Sequence, residues 1–397
     1  MSLKTILNFF YIINSFLLFT ILSFPNKNPL IFEYEYRFFG YKLEMSQFNG
    51  KSPQPLVINL SKNYSYLKDT LPSQTQTSLT TCHGSYVIPI NDIEINKLEA
   101  YLCNGPIIIG DESRKRQLNN INYFMVSNAY LMTIHNEYFV GLSPNVKNET
   151  FSIVHSLYNQ GYISSKKFGF SPRNNSGLLY IGGVPSNETH NKHLLKCNNI
   201  NEKSWGCKLN TISINNYTFI NDAYTYFNVN DKKTYVSLEF FFFFGENILN
   251  KYIKTQQCSM KIRGDNCFFE CELDIFNYEN YEISFGFFDG NGFSFDLINM
   301  FTCRQSICET LFFYNDKMKN FFVLGGHFLS MFVSEFDYEE NTISFYYDGI
   351  IKERKLLNYN ENRNIISIKK ICFGMFVALS LMSMLFIYKY ILTSLKF

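Results

Sequence analysis

Residues 151–184, FSIVHSLYNQGYISSKKFGFSPRNNSGLLYIGGV, decide how the rest of this chain is read. Ile153, Val154 and Leu157 fall on one face of a short amphipathic helix over Phe151–Asn159. Gly161 is its stop signal. Leu178–Ile181 is then a brief apolar run bounded by Asn and Gly, which predicts a strand. The same grammar extends outward. Between residues 33 and 348, short apolar runs such as Tyr86–Ile90, Tyr123–Val126, Ile283–Phe288 and Thr342–Tyr347 are broken by Asn, Gly, Asp and Pro. Strands are expected to dominate.

Composition agrees. The chain has 397 residues, with 42 Phe, 28 Tyr and 18% aromatic side chains overall. Aromatic side chains suit pleated, half-buried surfaces, so a large β-rich core is expected. The length suffices for two lobes of ordinary size. A net charge of +2 points away from a nucleic-acid partner. The five Phe at 240–244 lack alternation and read as a fully buried strand, with an exposed ligand surface as the sharper alternative. A second helix is expected to start near Glu246.

Two segments are apolar enough for a membrane. Residues 5–24 follow Lys4 and read either as a cleaved signal peptide or as a retained anchor. Residues 371–388, ICFGMFVALSLMSMLFIY, carry no charge and are long enough to span a bilayer. The expected organisation is therefore a leader or anchor (1–24), an N-terminal lobe (25–190) and a C-terminal lobe (191–350). A polar stalk (351–370), a transmembrane helix (371–388) and a short tail (389–397) complete it. A lumenal or extracellular body on a single-pass anchor follows, in the endoplasmic reticulum, another secretory compartment or the cell surface.

Ten Cys are present, nine of them outside the span. In a secretory compartment they predict disulfides plus at least one unpaired thiol. Cys197 and Cys207 could close a small loop. Glycosylation sequons begin at Asn59, Asn63, Asn148, Asn174, Asn187 and Asn216, the last four being the candidates kept. His190 and His193 lack the Cys, His or acidic partners of a metal site. No cofactor or metal is implied.

Three stretches resemble the pepsin-like aspartic protease family. Phe151–Val184 is similar to that family's helix, "QG-I" turn, Phe-rich strand and "G-L-GG" hairpin. Phe139-Val140-Gly141-Leu142-Ser143 resembles the segment that buttresses the first active-site loop. Trp205-Gly206-Cys207-Lys208-Leu209 with Ile212–Asn215 is similar to the strands entering the second lobe. Phe322–Phe345, FVLGGHFLSMFVSEFDYEENTISF, resembles the closing "LG--fL---Y-vfD---n-igF" strands. The resemblance implies an all-β, bilobal fold with few short helices, here with a C-terminal transmembrane helix added.

The family's chemistry needs two Asp-Thr-Gly or Asp-Ser-Gly triplets, one per lobe, and neither triplet occurs in this chain. The two Asp share a proton and activate a water; one is ionised and one protonated, because two charges that close cannot coexist. Gly50-Lys51-Ser52-Pro53-Gln54 resembles the first lobe's entry, and counting on places Ser61-Lys62-Asn63 at the first triplet; a register two residues earlier places Asn59 there instead, and neither supplies an acid, since Val57–Leu67 contains no Asp or Glu. Ser65, Tyr66 and Leu67 still fit the pattern that follows. Gly245-Glu246-Asn247-Ile248 with Asn250-Lys251 resembles the second lobe's helix start, and counting back places Val236-Ser237-Leu238 at the second triplet. Glu239 is the nearest acid there. Asp69-Thr70 is the only Asp-Thr near the first. The flap, a hairpin over the cleft, is best matched by Tyr101, Leu102, Asn104 and Gly105, in a Cys-containing form similar to membrane-anchored plasmepsin-type members. Cys271 and Cys303 have about the spacing of the family's second-lobe disulfide. His327 reads as structural.

The expected function is a membrane-anchored, catalytically inactive homologue that binds a peptide or protein. The alternatives are an active aspartic-type endopeptidase of the secretory pathway and an adhesion or scaffold protein.

Overall fold

A computed structural model describes residues 28–37, 40–45, 54–62, 65–68, 81–89, 97–109, 116–126, 138–144, 151–173, 176–215, 217–220, 224–273, 275, 281–287, 292–316 and 322–347. In chain order the first strands are β1 (Leu30–Arg37), β2 (Gly40–Met45), β3 (Gln54–Asn59) and β4 (Tyr66–Lys68). Next come β5 (Thr81–Pro89), β6 (Lys97–Ile109), β7 (Arg116–Val126) and β8 (Tyr138–Gly141). The Ile153–Asn159 helix precedes β9 (Lys167–Arg173), β10 (Ser176–Ile181) and β11 (His193–Asn198). The second half adds β12 (Gly206–Ile214), β13 (Tyr217–Ile220), β14 (Tyr224–Asn228) and β15 (Thr234–Tyr235). After a long helical stretch come β16 (Cys258–Arg263), β17 (Asn266–Glu272), β18 (Glu282–Phe287) and β19 (Gly292–Asp296). The chain continues through β20 (Phe301–Arg304), β21 (Ile307–Thr310), β22 (Phe312–Asn315) and β23 (Phe322–Gly325). β24 (Val333–Asp337) and β25 (Thr342–Tyr347) close the described body.

These strands make two large sheets, of thirteen and twelve strands. The first runs β11-β25-β24-β9-β10-β1-β2-β3-β8-β4-β7-β6-β5, so the last described strands complete the sheet begun by the first described ones. The second runs β19-β18-β12-β14-β23-β15-β22-β17-β21-β20, with β13 pairing β12 and β16 pairing β17 off this path. The all-β expectation holds, with few short helices.

The opening stretch folds as read. Ser152 caps the Ile153–Asn159 helix, its side chain accepting the His155 N–H, and Ile153, Val154 and Leu157 are buried. β9 and β10 pair antiparallel, and β9 also pairs with β24. Their junction is dry and aromatic. Phe168 stacks on Phe336 at 4.7 Å, and Trp205 meets both rings edge-on at 5.9 and 5.4 Å.

The five-Phe run is a correction. Leu238–Phe244 is an α-helix that continues through a π-helical turn, Gly245–Leu249, into Asn250–Lys254. Ser237 caps it, its hydroxyl accepting the Phe240 N–H at 3.2 Å. Phe240, Phe241 and Phe244 are buried while Phe242 is 51% exposed, a helical pattern that alternation cannot produce. The helix thus starts eight residues before the expected Glu246.

Among the described residues four disulfides form: Cys82–Cys103, Cys197–Cys207, Cys258–Cys271 and Cys303–Cys308, with Cys267 a free thiol. The expected Cys271–Cys303 bridge is replaced by two local ones. Register explains this: Cys258 pairs directly with Cys271 across β16–β17, and Cys303 with Cys308 across β20–β21. Cys197–Cys207 pairs as the small-loop reading allowed.

Among the described residues no helix is long and apolar enough to cross a membrane. Residues 5–24 and 371–388 lie outside the described residues.

Candidate functional site

Two crossings of the same design set the site. In the first sheet β3 runs parallel to β8, ending at Asn59 opposite Gly141. The chain then turns back, and β4 enters between its neighbours, Tyr66 opposite Phe139 of β8 and Phe124 of β7. In the second sheet β14 runs parallel to β23, ending at Asn228 opposite Gly325. β15 then enters with Tyr235 opposite Val323 of β23 and Phe313 of β22.

The two crossings keep the same spacing between their strand ends. Asn59 and Tyr66 are seven residues apart, as are Asn228 and Tyr235. The loops read NLSKNYSY and NVNDKKTY. Their local bonds match too: Asn59 Oδ1 accepts the Ser61 N–H at 2.9 Å, and Asn228 Oδ1 accepts the Asn230 N–H at 2.9 Å. The partner of Ser61 in the second loop is therefore Asn230.

Val236 was the position expected opposite Ser61, and the pairing corrects this. Val236 lies one residue beyond β15, fully buried, with its N–H donating to Phe313 O at 2.9 Å. Counting back from Glu246 failed because that residue is fixed within a helix that begins at Leu238, not relative to the loop. Glu239 sits exposed in the first turn of the same helix, away from the loop tip.

The pairing also reveals an acid that counting missed. Asp231 follows Asn230, and its carboxylate accepts the Tyr235 hydroxyl at 2.8 Å and the Lys233 N–H at 3.1 Å. Burial and the Asp231 charge both push the Tyr235 phenol up, so it stays a donor. Ser61 is also engaged, its hydroxyl donating to Asn59 Oδ1 at 2.9 Å. Neither tip position holds a carboxyl group. A hydroxyl or an amide cannot serve as an ionised base near neutral pH. Asp69-Thr70 lies outside the described residues.

The two loops are tied to one another through Trp205. The Leu142 N–H donates to Asn59 O at 2.8 Å, and the Trp205 indole N–H donates to Leu142 O at 2.6 Å. Trp205 O accepts the Phe227 N–H at 3.0 Å, one residue before Asn228. Leu142, Trp205 and Phe227 are all buried. This dry relay fixes one loop relative to the other. The second loop is also pressed from behind: a Cβ on Gly325 would lie 2.1 Å from Lys233 O, so only glycine fits.

The remaining expected positions are placed as follows. Tyr101, Leu102, Asn104 and Gly105 are not at a hairpin tip. They lie inside β6, which pairs with β5 on one side and β7 on the other. Asn104 donates to Asn122 Oδ1 of β7 at 2.7 Å. The β5–β6 turn that a flap would need, residues 90–96, lies outside the described residues. Asn187 is exposed on the one-turn Ser186–Thr189 helix. Asn63, Asn148, Asn174 and Asn216 fall outside the described residues, and Asn59 is held at the base of the first loop. His327 Nε2 lies 2.7 Å from Asn299 O.

The family model described as eukaryotic aspartyl protease matches residues 127–346, and the chain belongs to that family. Solved structures with the same fold include conglutin gamma, a basic 7S globulin from lupine seeds. It has a TM-score of 0.64 and 13% identity over 81% of this chain and 95% of that one. Basic 7S globulin from soybean follows at 0.63 and 11% identity, covering 80% and 95%. An aspartic proteinase from Irpex lacteus gives 0.58 and 12% identity, covering 80% and 96%. At such identities these likenesses show the fold alone; it carries both a globulin and a proteinase. No curated protein sequence matches the chain.

Proposed function

We propose that this chain is a pepsin-like family member that binds a peptide or protein segment without cutting it. The observation that carries this reading is the pair of equivalent loop positions, Ser61 and Asn230, neither of which is an acid. Without two carboxyl groups sharing a proton, no water at that centre is deprotonated. The relay through Trp205 nevertheless keeps both loops in place. An extended peptide lying over them would be held by strand-like backbone hydrogen bonds. Residues 371–388 would anchor the body to a membrane of the secretory route.

A peptide-library digestion across about pH 3 to 7 tests the first part. No cleavage is expected. Pepstatin-sensitive cleavage that disappears in Asp231→Asn would overturn it, and would favour the endopeptidase reading that the Asp231 carboxylate alone supports. Alkaline washing of cell membranes tests the second part: the chain is expected to stay bound, and to be released when 371–388 is deleted. A full-length chain that washes off refutes the anchor.

A further inference from the structure

We propose that four cysteines of the second sheet, Cys258, Cys271, Cys308 and Cys303, form a thiol-exchange site that takes a low-molecular-weight thiol at Cys303 and passes the exchange inward along their row. The site uses none of the loop residues and stands whether or not the loops bind a peptide.

Register builds the row. Cys258 of β16 pairs with Cys271 of β17, Cys271 with Cys308 of β21, and Cys308 with Cys303 of β20. Four cysteines thus stand side by side across four adjacent antiparallel strands. Directly opposite residues share a face of a sheet, so all four side chains leave on the same side. The two bridged pairs have Cα atoms 4.1 and 3.9 Å apart, the close spacing of pairs without mutual backbone hydrogen bonds. Each inner cysteine therefore turns its backbone N–H and C=O toward the other, and Cys271 and Cys308 form the hydrogen-bonded pair. Such a pair has Cα atoms about 5.5 Å apart, inside the window of about 4.4–6.8 Å that disulfides use. Cys271 is thus within bridging reach of both Cys258 and Cys308. Cys267, the free thiol, lies four residues along β17, roughly 13 Å from Cys271 and outside that reach.

Exposure gives the row a direction. Cys258, Cys271 and Cys308 are buried, whereas Cys303 is exposed on β20 at the end of the sheet. Its bridge to Cys308 has a sequence separation of only 5, and so short a loop constrains the unfolded chain least. Exposed bridges are the ones open to exchange. The incoming thiolate attacks Cys303 Sγ; the Cys303–Cys308 bond breaks, a mixed disulfide forms on Cys303, and Cys308 leaves as a thiolate. Cys308 Sγ then attacks Cys271 Sγ, forming a Cys271–Cys308 bond and breaking Cys258–Cys271. The order Cys308, Cys271, Cys258 across the strands is the order that in-line attack requires. Cys258 leaves as a thiolate and takes up the proton that the incoming thiol gave up. One S–S bond forms for each that breaks, so no oxidant or reductant is consumed. The product joins β17 to β21 and unfastens β16, which follows the Asn250–Lys254 helix.

Peptide mapping by mass spectrometry after alkylation tests this on the folded full chain in detergent, with glutathione as the thiol. Treatment is expected to yield the Cys271–Cys308 peptide, glutathionylated Cys303 and alkylated Cys258 in matching amounts, with Cys197–Cys207 intact. Cys303→Ser begins with a Cys308 thiol, so the Cys271–Cys308 peptide and alkylated Cys258 should appear without glutathione. Cys258→Ser runs the row backward: the Cys271 thiol attacks Cys308 and releases Cys303, which should be alkylated in the folded chain. Where a variant fails to fold, the glutathione map of the unchanged chain decides alone. Retention of Cys258–Cys271 while Cys303–Cys308 opens overturns the inward step. Survival of every bridge under glutathione overturns the exchange site itself. New pairings that include Cys82 or Cys197 would mean scrambling through unfolding and overturn it equally.

Discussion

Replacing Gly325 with Ala should destabilise the second loop more than any glycine change in an open turn. The new Cβ would lie 2.1 Å from Lys233 O and 2.6 Å from Lys232 O. Ordinary carbon–oxygen contacts begin near about 3.3 Å, so loop and strand must separate by roughly 1 Å. The φ of Gly325 is −75°, which Ala adopts freely, so the whole effect is steric. Separation strains two hydrogen bonds, Gly326 N–H to Asp231 O at 2.7 Å and Gly325 N–H to Thr234 Oγ1 at 3.3 Å. Overpacking costs about 1–3 kcal/mol and each of the two weakened bonds about 1 kcal/mol, for a total of about 3–5 kcal/mol. That is a large part of a typical folding free energy of about 5–15 kcal/mol. Urea unfolding followed by the fluorescence of Trp205, the single tryptophan, reads it at the junction itself. Gly264→Ala is the control. Its φ is +62° and nothing lies within 4 Å, so it should lose only about 1–2 kcal/mol, from the left-handed backbone. If Gly325→Ala unfolds within about 0.5 kcal/mol of the unchanged chain, the loop does not pack on β23 as argued.

Other outcomes follow from the same packing. Phe240→Ala should cost about 3–5 kcal/mol and Phe242→Ala about 0.5 kcal/mol or less; equal losses would restore the strand reading of the Phe run. Trp205→Phe leaves Leu142 O without the indole donor and should cost about 1–3 kcal/mol by circular-dichroism melts, and no loss would remove Trp205 from the relay. Burial works against ionisation of Asp337, but Lys167 at 2.8 Å and the N–H groups of Glu340 and Glu339 hold its carboxyl below the usual range. A depressed folded pKa gives stability that is complete above the unfolded value of about 4 and is lost as pH falls through the folded value. Acid titration of unfolding should therefore show a loss below about pH 4 that Asp337→Asn flattens, and an unaltered acid limb would contradict it.

The sequence and the structure agree where information is local and diverge where it is long-range. The Phe151–Asn159 helix was legible because its cap, its apolar face and its Gly stop lie within eleven residues. The Phe run was misread because five like residues carry no period; the deciding signal was Ser237, a cap residue just before it, with Glu239 in the first turn. The disulfides were misassigned because spacing along the chain says nothing of which strands lie side by side.

The second loop shows the same limit more sharply. Its clue was present as an internal repeat: both stretches begin with Asn and an aliphatic residue and end with a hydroxyl residue and Tyr. Eight loosely similar residues carry little weight until two parallel strand pairs place Asn59 and Asn228 at matching ends. The distinction has a chemical consequence. An acid introduced at Val236 would enter a site with no exposed surface, beside a backbone N–H already committed to Phe313. An unpaired buried carboxylate there would be neutralised or would unfold the sheet. An acid at Asn230 would occupy a half-buried loop tip beside Lys232. Asn230→Asp is therefore expected to fold and Val236→Asp to lose most of the chain's stability, and circular-dichroism melts of the two variants separate the assignments. Equal tolerance of both would mean that the seven-residue equivalence does not locate the second centre.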